Sequence, residues 1–218
     1  KLSAAPFHMW TPDVYEGAPT PVVAFFAVAP KVAAVALLIR FLHGPLGQSG
    51  ESWIQIIIAL SVLSMAVGAF AAIVQTDIKR LLAYSAIGHI GYALMAMIAD
   101  TTVAIEAIFV YLVIYGVMTL GVFGLLLAIR TSHTWYTKID NLSGLSQRHP
   151  VMAFCLAVLM FSMAGIPPTA GFLGKFYVFA AAVDAGYIWL AVYGVIMSVI
   201  AAFYYLRIIK VIYFDDPV

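Results

Sequence analysis

Six stretches of this chain are long and apolar enough to cross a lipid bilayer, which leaves it few ways to fold. A hydrocarbon core of ~30 Å takes about 20 helical residues rising ~1.5 Å each. Residues 22–42, 53–75, 79–99, 103–129 and 188–213 meet that length, and 151–183 exceeds it with an interruption at Gly165-Ile166-Pro167-Pro168. The 103–129 run is long enough to tilt or to extend past the membrane. Charged side chains make up 10% of the chain and apolar ones 64%, with a mean hydropathy of +1.03. A soluble domain carries roughly 25% charged residues, so a water-soluble globular fold is excluded. The expected fold class is all-α: one polytopic transmembrane helix bundle over 1–218, with some helices broken.

Residues 1–10 read as the end of a seventh span, followed by a loop over 10–21. The chain starts at lysine, within what reads as a helix, so it is expected to be a fragment of a larger polytopic protein. Short connections make consecutive spans antiparallel. With the 10–21 loop on the near side, that side holds Lys79, Arg80, Arg130, Lys138, Arg148, Arg207 and Lys210. The far side holds Arg40 alone, beside His43, Glu51, Asp100 and Asp184. Seven cations against one make the near side cytoplasmic or its organellar equivalent. The net charge of +1, from 11 Lys+Arg and 10 Asp+Glu, gives no basic balance for nucleic acid. A single cysteine, Cys155, rules out an internal disulfide framework, a thiolate iron–sulfur site and a cysteine zinc site. No metal-ligand cluster, glycine-rich phosphate loop or Ser–His–Asp arrangement can be read, and the loops are too short for a soluble active site. No catalytic residues and no metal are expected in this chain.

Three cations remain, Lys1, Lys31 and Lys175, each inside an apolar run. Lysine at the bilayer centre costs at least ~2.5–3.5 kcal/mol and marks a bundle interior or a water cavity. Desolvation there favours the neutral amine, and an amine so placed can exchange protons near neutral pH. The alternative is a structural lysine paired with a buried carboxylate, but Glu106 is the one plausible intramembrane acid for all three. Each lysine also has proline nearby: Pro6 after Lys1, Pro30 before Lys31, and Pro167 and Pro168 before Lys175. A broken helix bearing an ionisable group is a common transporter ion site.

His89 lies near the middle of its span, where Tyr84, Ser85 and Tyr92 could help it hold water as a relay. A histidine merely bonded to a neighbouring helix is the other reading. Asp77, Lys79 and Arg80 read as a helix cap and anchor. Tyr111, Tyr115 and Thr119, spaced by four, read as packing glue. Tyr204 and Tyr205 read as part of an interfacial aromatic belt. His8 fits either the opening beside Lys1 or an interface.

The runs KLSAAPFHMWTPDVYEGAPTPV at 1–22, DIKRLLAYSAIGHIGY at 77–92 and SMAGIPPTAGFLGKF at 162–176 closely resemble signatures of the antiporter-like membrane subunits of respiratory complex I. The resemblance covers essentially the whole chain. It implies an inverted-repeat fold, with 1–42 ending the first repeat and 53–213 forming the second five-helix repeat. It implies that Lys1, Lys31 and Lys175 match the family's mid-membrane lysines, with the glutamate that pairs with the Lys1 position upstream of residue 1. His89 matches a position where relatives carry a polar residue. The expected function is proton translocation in the membrane arm of NADH–quinone oxidoreductase, through Lys1, Lys31, Lys175 and His89. NADH, FMN, iron–sulfur clusters and quinone are expected in partner subunits. The expected surroundings are other membrane-arm subunits, the lipid bilayer and protons, in a bacterial inner membrane rather than a mitochondrial one. The alternatives are a subunit of a multisubunit cation/proton antiporter, and a scaffold whose lysines only anchor neighbours.

Overall fold

The computed structural model describes residues 1–47, 50–99, 101–129 and 138–216, with Gly50 and Glu51 described by their backbone alone. Asp100 and Arg130, assigned above to the two sides, and the Glu51 side chain lie outside the described residues. The helices are α1 (Trp10–Gly17), α2 (Thr20–His43), α3 (Gly50–Ile73), α4 (Ile78–Met97), α5 (Thr102–Ile129), α6 (Leu145–Arg148), α7 (Pro150–Ala164), α8 (Ala170–Asp184) and α9 (Ile188–Phe214), with a 3₁₀ turn at Ile139–Leu142 before α6. Among the described residues the structure is an all-α bundle, and each of the six apolar stretches has its helix or helix pair.

Length and composition alone qualify α2, the Ser52–Ile73 part of α3, α5 and α9 as membrane crossings. The helix α4 is long enough, 20 residues or about 30 Å, but too polar to face lipid. Its position resolves the conflict. From Ile78 to Met97 only Lys79, Arg80 and Tyr84 are not buried, so protein rather than lipid surrounds its histidine, serine and tyrosines. The fit against α3 depends on glycine. A Cβ on Gly68 would stand 2.4 Å from the Gly88 nitrogen, and one on Gly91 would stand 2.8 Å from the Met65 nitrogen. Small residues let helix backbones approach in this way, and the Ser61 hydroxyl donates to the Gly91 carbonyl at 2.7 Å across the seam.

Two sequence expectations need correction. Residues 1–9 form no helix; extended chain and turns lead into α1, which occupies much of the expected 10–21 loop. Pro6 removes a backbone donor ahead of it, while Thr11 and Pro12 in the first turn suit a helix start. Pro30 does not break α2, which runs unbroken through it. One proline deletes one backbone hydrogen bond, and a packed membrane helix tolerates that loss. The tandem Pro167-Pro168 does interrupt its run, between α7 and α8.

The near-side ends are tied together by polar contacts. Asp77 caps α4, its carboxylate accepting from the Lys79 and Arg80 backbone N–H groups at 2.8 and 3.0 Å. Arg207 donates to the carbonyls of Ile73 and Gln75, both at 3.2 Å, and the Ile139 N–H donates to Thr76. Lys210 pairs with Asp215.

Gly68→Ala is expected to cost about 1–3 kcal/mol through a backbone collision that cannot relax. Gly124→Ala, where nothing lies within 4 Å of the new carbon, leaves stability unchanged. Thermal unfolding of the detergent-solubilised full-length protein distinguishes the two; equal Tm values would contradict the glycine-seam account.

Candidate functional site

The break between α7 and α8 supplies its own ligand for Lys175. In a continuous helix the Ala164 carbonyl would accept from the N–H of residue 168, which as proline has none. The Lys175 ammonium donates to that carbonyl at 2.9 Å and to the Ser198 hydroxyl at 2.7 Å, and lies 5.3 Å from the centre of the Tyr92 ring. A cation at a helix C-terminus also meets the negative end of the helix dipole. Gly165 closes α7 at φ +84°, and a Cβ there would come within 2.9 Å of the Lys175 chain, so both backbone and space require glycine. Across the break the Ser162 hydroxyl accepts from the Gly171 N–H at 3.0 Å, satisfying a free donor at the start of α8.

Lys31 is buried in a different way. It is 2% exposed, and among the described residues its ammonium makes no hydrogen bond. It stands 5.7 Å from the centre of the Tyr115 ring and 5.9 Å from that of Tyr15. Such ring contacts are worth about 0.5–1 kcal/mol each, less in sum than the ~2.5–3.5 kcal/mol cost of lysine at this depth. Among the described residues the hydroxyls of Tyr15 and Thr11 are likewise buried with no hydrogen-bond partner, while those of Tyr115 and Thr119 interact with each other. Tyr15 and Tyr115 face Lys31, and Thr11 and Thr119 lie one helical turn from them. Polar atoms with unused hydrogen-bonding capacity in one place are the condition under which proteins hold internal water.

His89 joins the two lysines through side chains. Its ring centre is 5.0 Å from that of Tyr115. Its Nδ1 shares a hydrogen bond with the Tyr111 hydroxyl at 2.5 Å, and its Nε2 one with the Tyr205 hydroxyl at 3.2 Å. Tyr205 and Ser85 share a further hydrogen bond. A cavity of about 10 Å³, room for about one water, is lined by Ser85, His89, Tyr92, Tyr205 and Lys175 among others. The line therefore runs Lys31, Tyr115, His89, Tyr205, cavity, Lys175, drawing on α2, α5, α4, α9 and α8.

Lys1 is exposed, at the start of a segment that packs on α3, where the Ala5 N–H donates to Ser64 at 2.9 Å. His8 is half-buried, and Tyr84 lies at the edge of the core cluster. Sequence reasoning missed the tyrosines. Tyr111 and Tyr115 do more than pack, since one bonds His89 and the other separates it from Lys31. Tyr204 and Tyr205 are buried rather than interfacial. The available signal was spacing, because Tyr111, Tyr115 and Thr119 share one helix face with the buried polar groups.

A family model described as "NADH:quinone oxidoreductase/Mrp antiporter, TM" matches residues 1–201. The NADH-quinone oxidoreductase subunit N of Rhodospirillum rubrum is 60% identical over 216 residues, covering 99% of this chain and 44% of that protein. The chain therefore spans less than half the length of this curated relative. A chain of respiratory complex I from Thermus thermophilus with bound aureothin superposes with a TM-score of 0.85 at 36% identity, covering 100% of this chain and 47% of the other. A chain of the Mrp complex from Dietzia sp. DQ12-45-1b gives 0.89 at 25% identity, over 100% and 40%.

Tyr205→Phe removes the hydroxyl shared by His89 and Ser85 and leaves buried polar atoms unpaired, at about 1–2 kcal/mol. The full-length protein is expected to lose Tm accordingly, while Tyr213→Phe, at a residue 41% exposed, leaves it unchanged. An unaltered Tm for Tyr205→Phe would show that the network does not hold His89.

Proposed function

The chain belongs to the NADH:quinone oxidoreductase/Mrp antiporter transmembrane family, and from that premise we propose that it is part of a proton-translocating subunit in the membrane arm of NADH–quinone oxidoreductase. The observation that carries this reading is the line of buried ionisable and hydroxyl groups from Lys31 through His89 to Lys175. Lysines, a histidine and tyrosine hydroxyls can each take and give a proton, and all of them lie inside an otherwise apolar bundle. Lys31 is the central carrier, Lys1 exchanges protons towards one aqueous side, and Lys175 towards the other or a neighbouring subunit. His89 passes the proton between them, its two ring nitrogens bonded to different hydroxyls.

Electron transfer from NADH through FMN and iron–sulfur clusters to quinone belongs to partner subunits in this proposal. Changes arriving along the membrane arm alter the balance of charge around the lysines. The residues 1–42 end a first repeat and 53–213 form a second. The setting is a bacterial inner membrane, with the cation-rich near side cytoplasmic.

The likeness to the Mrp complex, at a TM-score of 0.89, favours a second reading, a subunit of a multisubunit cation/proton antiporter. Proton transport that needs sodium and no NADH would decide for it. For the first reading, Lys31→Met in the assembled complex is expected to remove the proton translocation that passes through this subunit. The measurement is proton uptake per NADH oxidised in reconstituted vesicles, and undiminished pumping with normal assembly would overturn the proposal.

A further inference from the structure

Transporters built on broken helices hold their coupling ion against backbone carbonyls freed at a half-helix end. At the α7–α8 break a side chain of the protein occupies that place. The Lys175 ammonium donates to the Ala164 carbonyl at 2.9 Å and to the Ser198 hydroxyl of α9 at 2.7 Å. It stands over the Tyr92 ring of α4, 5.3 Å from its centre, and the Tyr92 hydroxyl is itself hydrogen-bonded with Ser198. Among the described residues no carboxylate pairs with Lys175. Its aliphatic chain is closely held as well, since a Cβ on Gly165 would stand 2.9 Å from its Cδ and 3.3 Å from its Cε.

These partners suit one kind of cation. An ammonium is a compact charge with three N–H donors. Two of them find oxygens here, and the ring face attracts the charge on a further side. A hard metal ion instead gathers about six oxygen ligands at short range. The break offers two protein oxygens, and the adjoining cavity of about 10 Å³ has room for about one water. That is half the shell a metal ion requires, and no carboxylate makes up for the rest.

We propose that the Ala164 carbonyl, Ser198 and Tyr92 form an ammonium-recognition site that rejects sodium, so that this half of the bundle carries the proton alone, as the ammonium of Lys175. Loading adds one proton to the amine nitrogen, release restores its lone pair, and no sodium moves in exchange. The Ser198 hydroxyl serves either state, accepting from the ammonium or turning to donate to the neutral amine. Ser198 and Tyr92 act through the lysine and are positioning residues. The inference rests on the reading of Lys175 as a proton carrier, and binding of a free amine separates the two.

Lys175→Ala vacates the space of three carbons and an ammonium, which is the shape of n-propylammonium. The test follows heat-induced aggregation of this subunit in the detergent-solubilised assembled complex, read by immunoblot. At constant ionic strength, n-propylammonium chloride is expected to raise the midpoint of Lys175→Ala by a few degrees beyond any change in the wild type, as a ligand of the folded state does. Sodium chloride is expected to give no such rise, and Lys175→Ala/Ser198→Ala to lose the response. No response of Lys175→Ala to the amine, or an equal one to sodium, would overturn the proposal. Should Lys175→Ala not assemble, Ser198 decides: proton pumping per NADH in reconstituted vesicles is expected to fall severalfold in Ser198→Ala and to recover in Ser198→Thr, and pumping equal to wild type in Ser198→Ala would overturn it. Lys175→Met, assayed for pumping, reports on the carrier reading alone: full pumping there sinks that reading whatever the amine does.

Discussion

An unsatisfied backbone carbonyl within a membrane costs several kcal/mol, and the site grows from how the α7–α8 break meets that constraint. Pro168 cannot donate to Ala164, and Lys175 supplies the missing hydrogen bond from one helix further on. The lysine thereby obtains acceptors at a depth where it would otherwise have none, and the break obtains a donor. Gly165 and Gly171 belong to the same solution. The first turns the chain beside the lysine, and the second lets α8 start against the Ser162 carbonyl. Lys31 lacks such an arrangement: α2 runs on through Pro30, and among the described residues the Lys31 ammonium makes no hydrogen bond. One lysine is fixed by the fold and the other is held by packing and ring faces, so a change in local charge or hydration acts on Lys31 first.

Between them lies a helix that could not face lipid. The polarity of α4 is tolerated because α3 covers it at glycine distance and α5, α8 and α9 supply tyrosines and a lysine as polar neighbours. The same near-side turn of α4 that Asp77 caps also reaches out through Lys79 and Arg80 to α1. A single helix therefore links the surface contacts of the bundle to its buried histidine, some two to three turns away along one rigid element.

The apolar helices and the break at Pro167-Pro168 were legible in the sequence, because hydropathy and proline act locally. Lys31, Lys175 and His89 were legible as rare polar groups in apolar runs. The tyrosines were not. Aromatic residues serve equally as core, belt or hydrogen-bond partner, and only the packing of α5 and α9 onto α4 decides between these for Tyr111, Tyr115 and Tyr205. Pro30 misled for a related reason, since a proline beside a lysine looks the same on paper whether or not neighbouring helices hold the segment straight. The α1 helix was missed because eight residues between prolines and a glycine carry too little periodicity to stand out from a loop.

The central claim is that Lys31, His89 and Lys175 lie on one hydrated path. Its most direct test is a high-resolution experimental structure of the intact assembly in lipid, with ordered waters resolved. Water bonded to the Lys31 ammonium and the Tyr15 and Tyr115 hydroxyls, continuing past His89 into the small cavity beside Lys175, is the predicted result. Dry apolar packing between Lys31 and His89, with the same hydroxyls unhydrated, would contradict it.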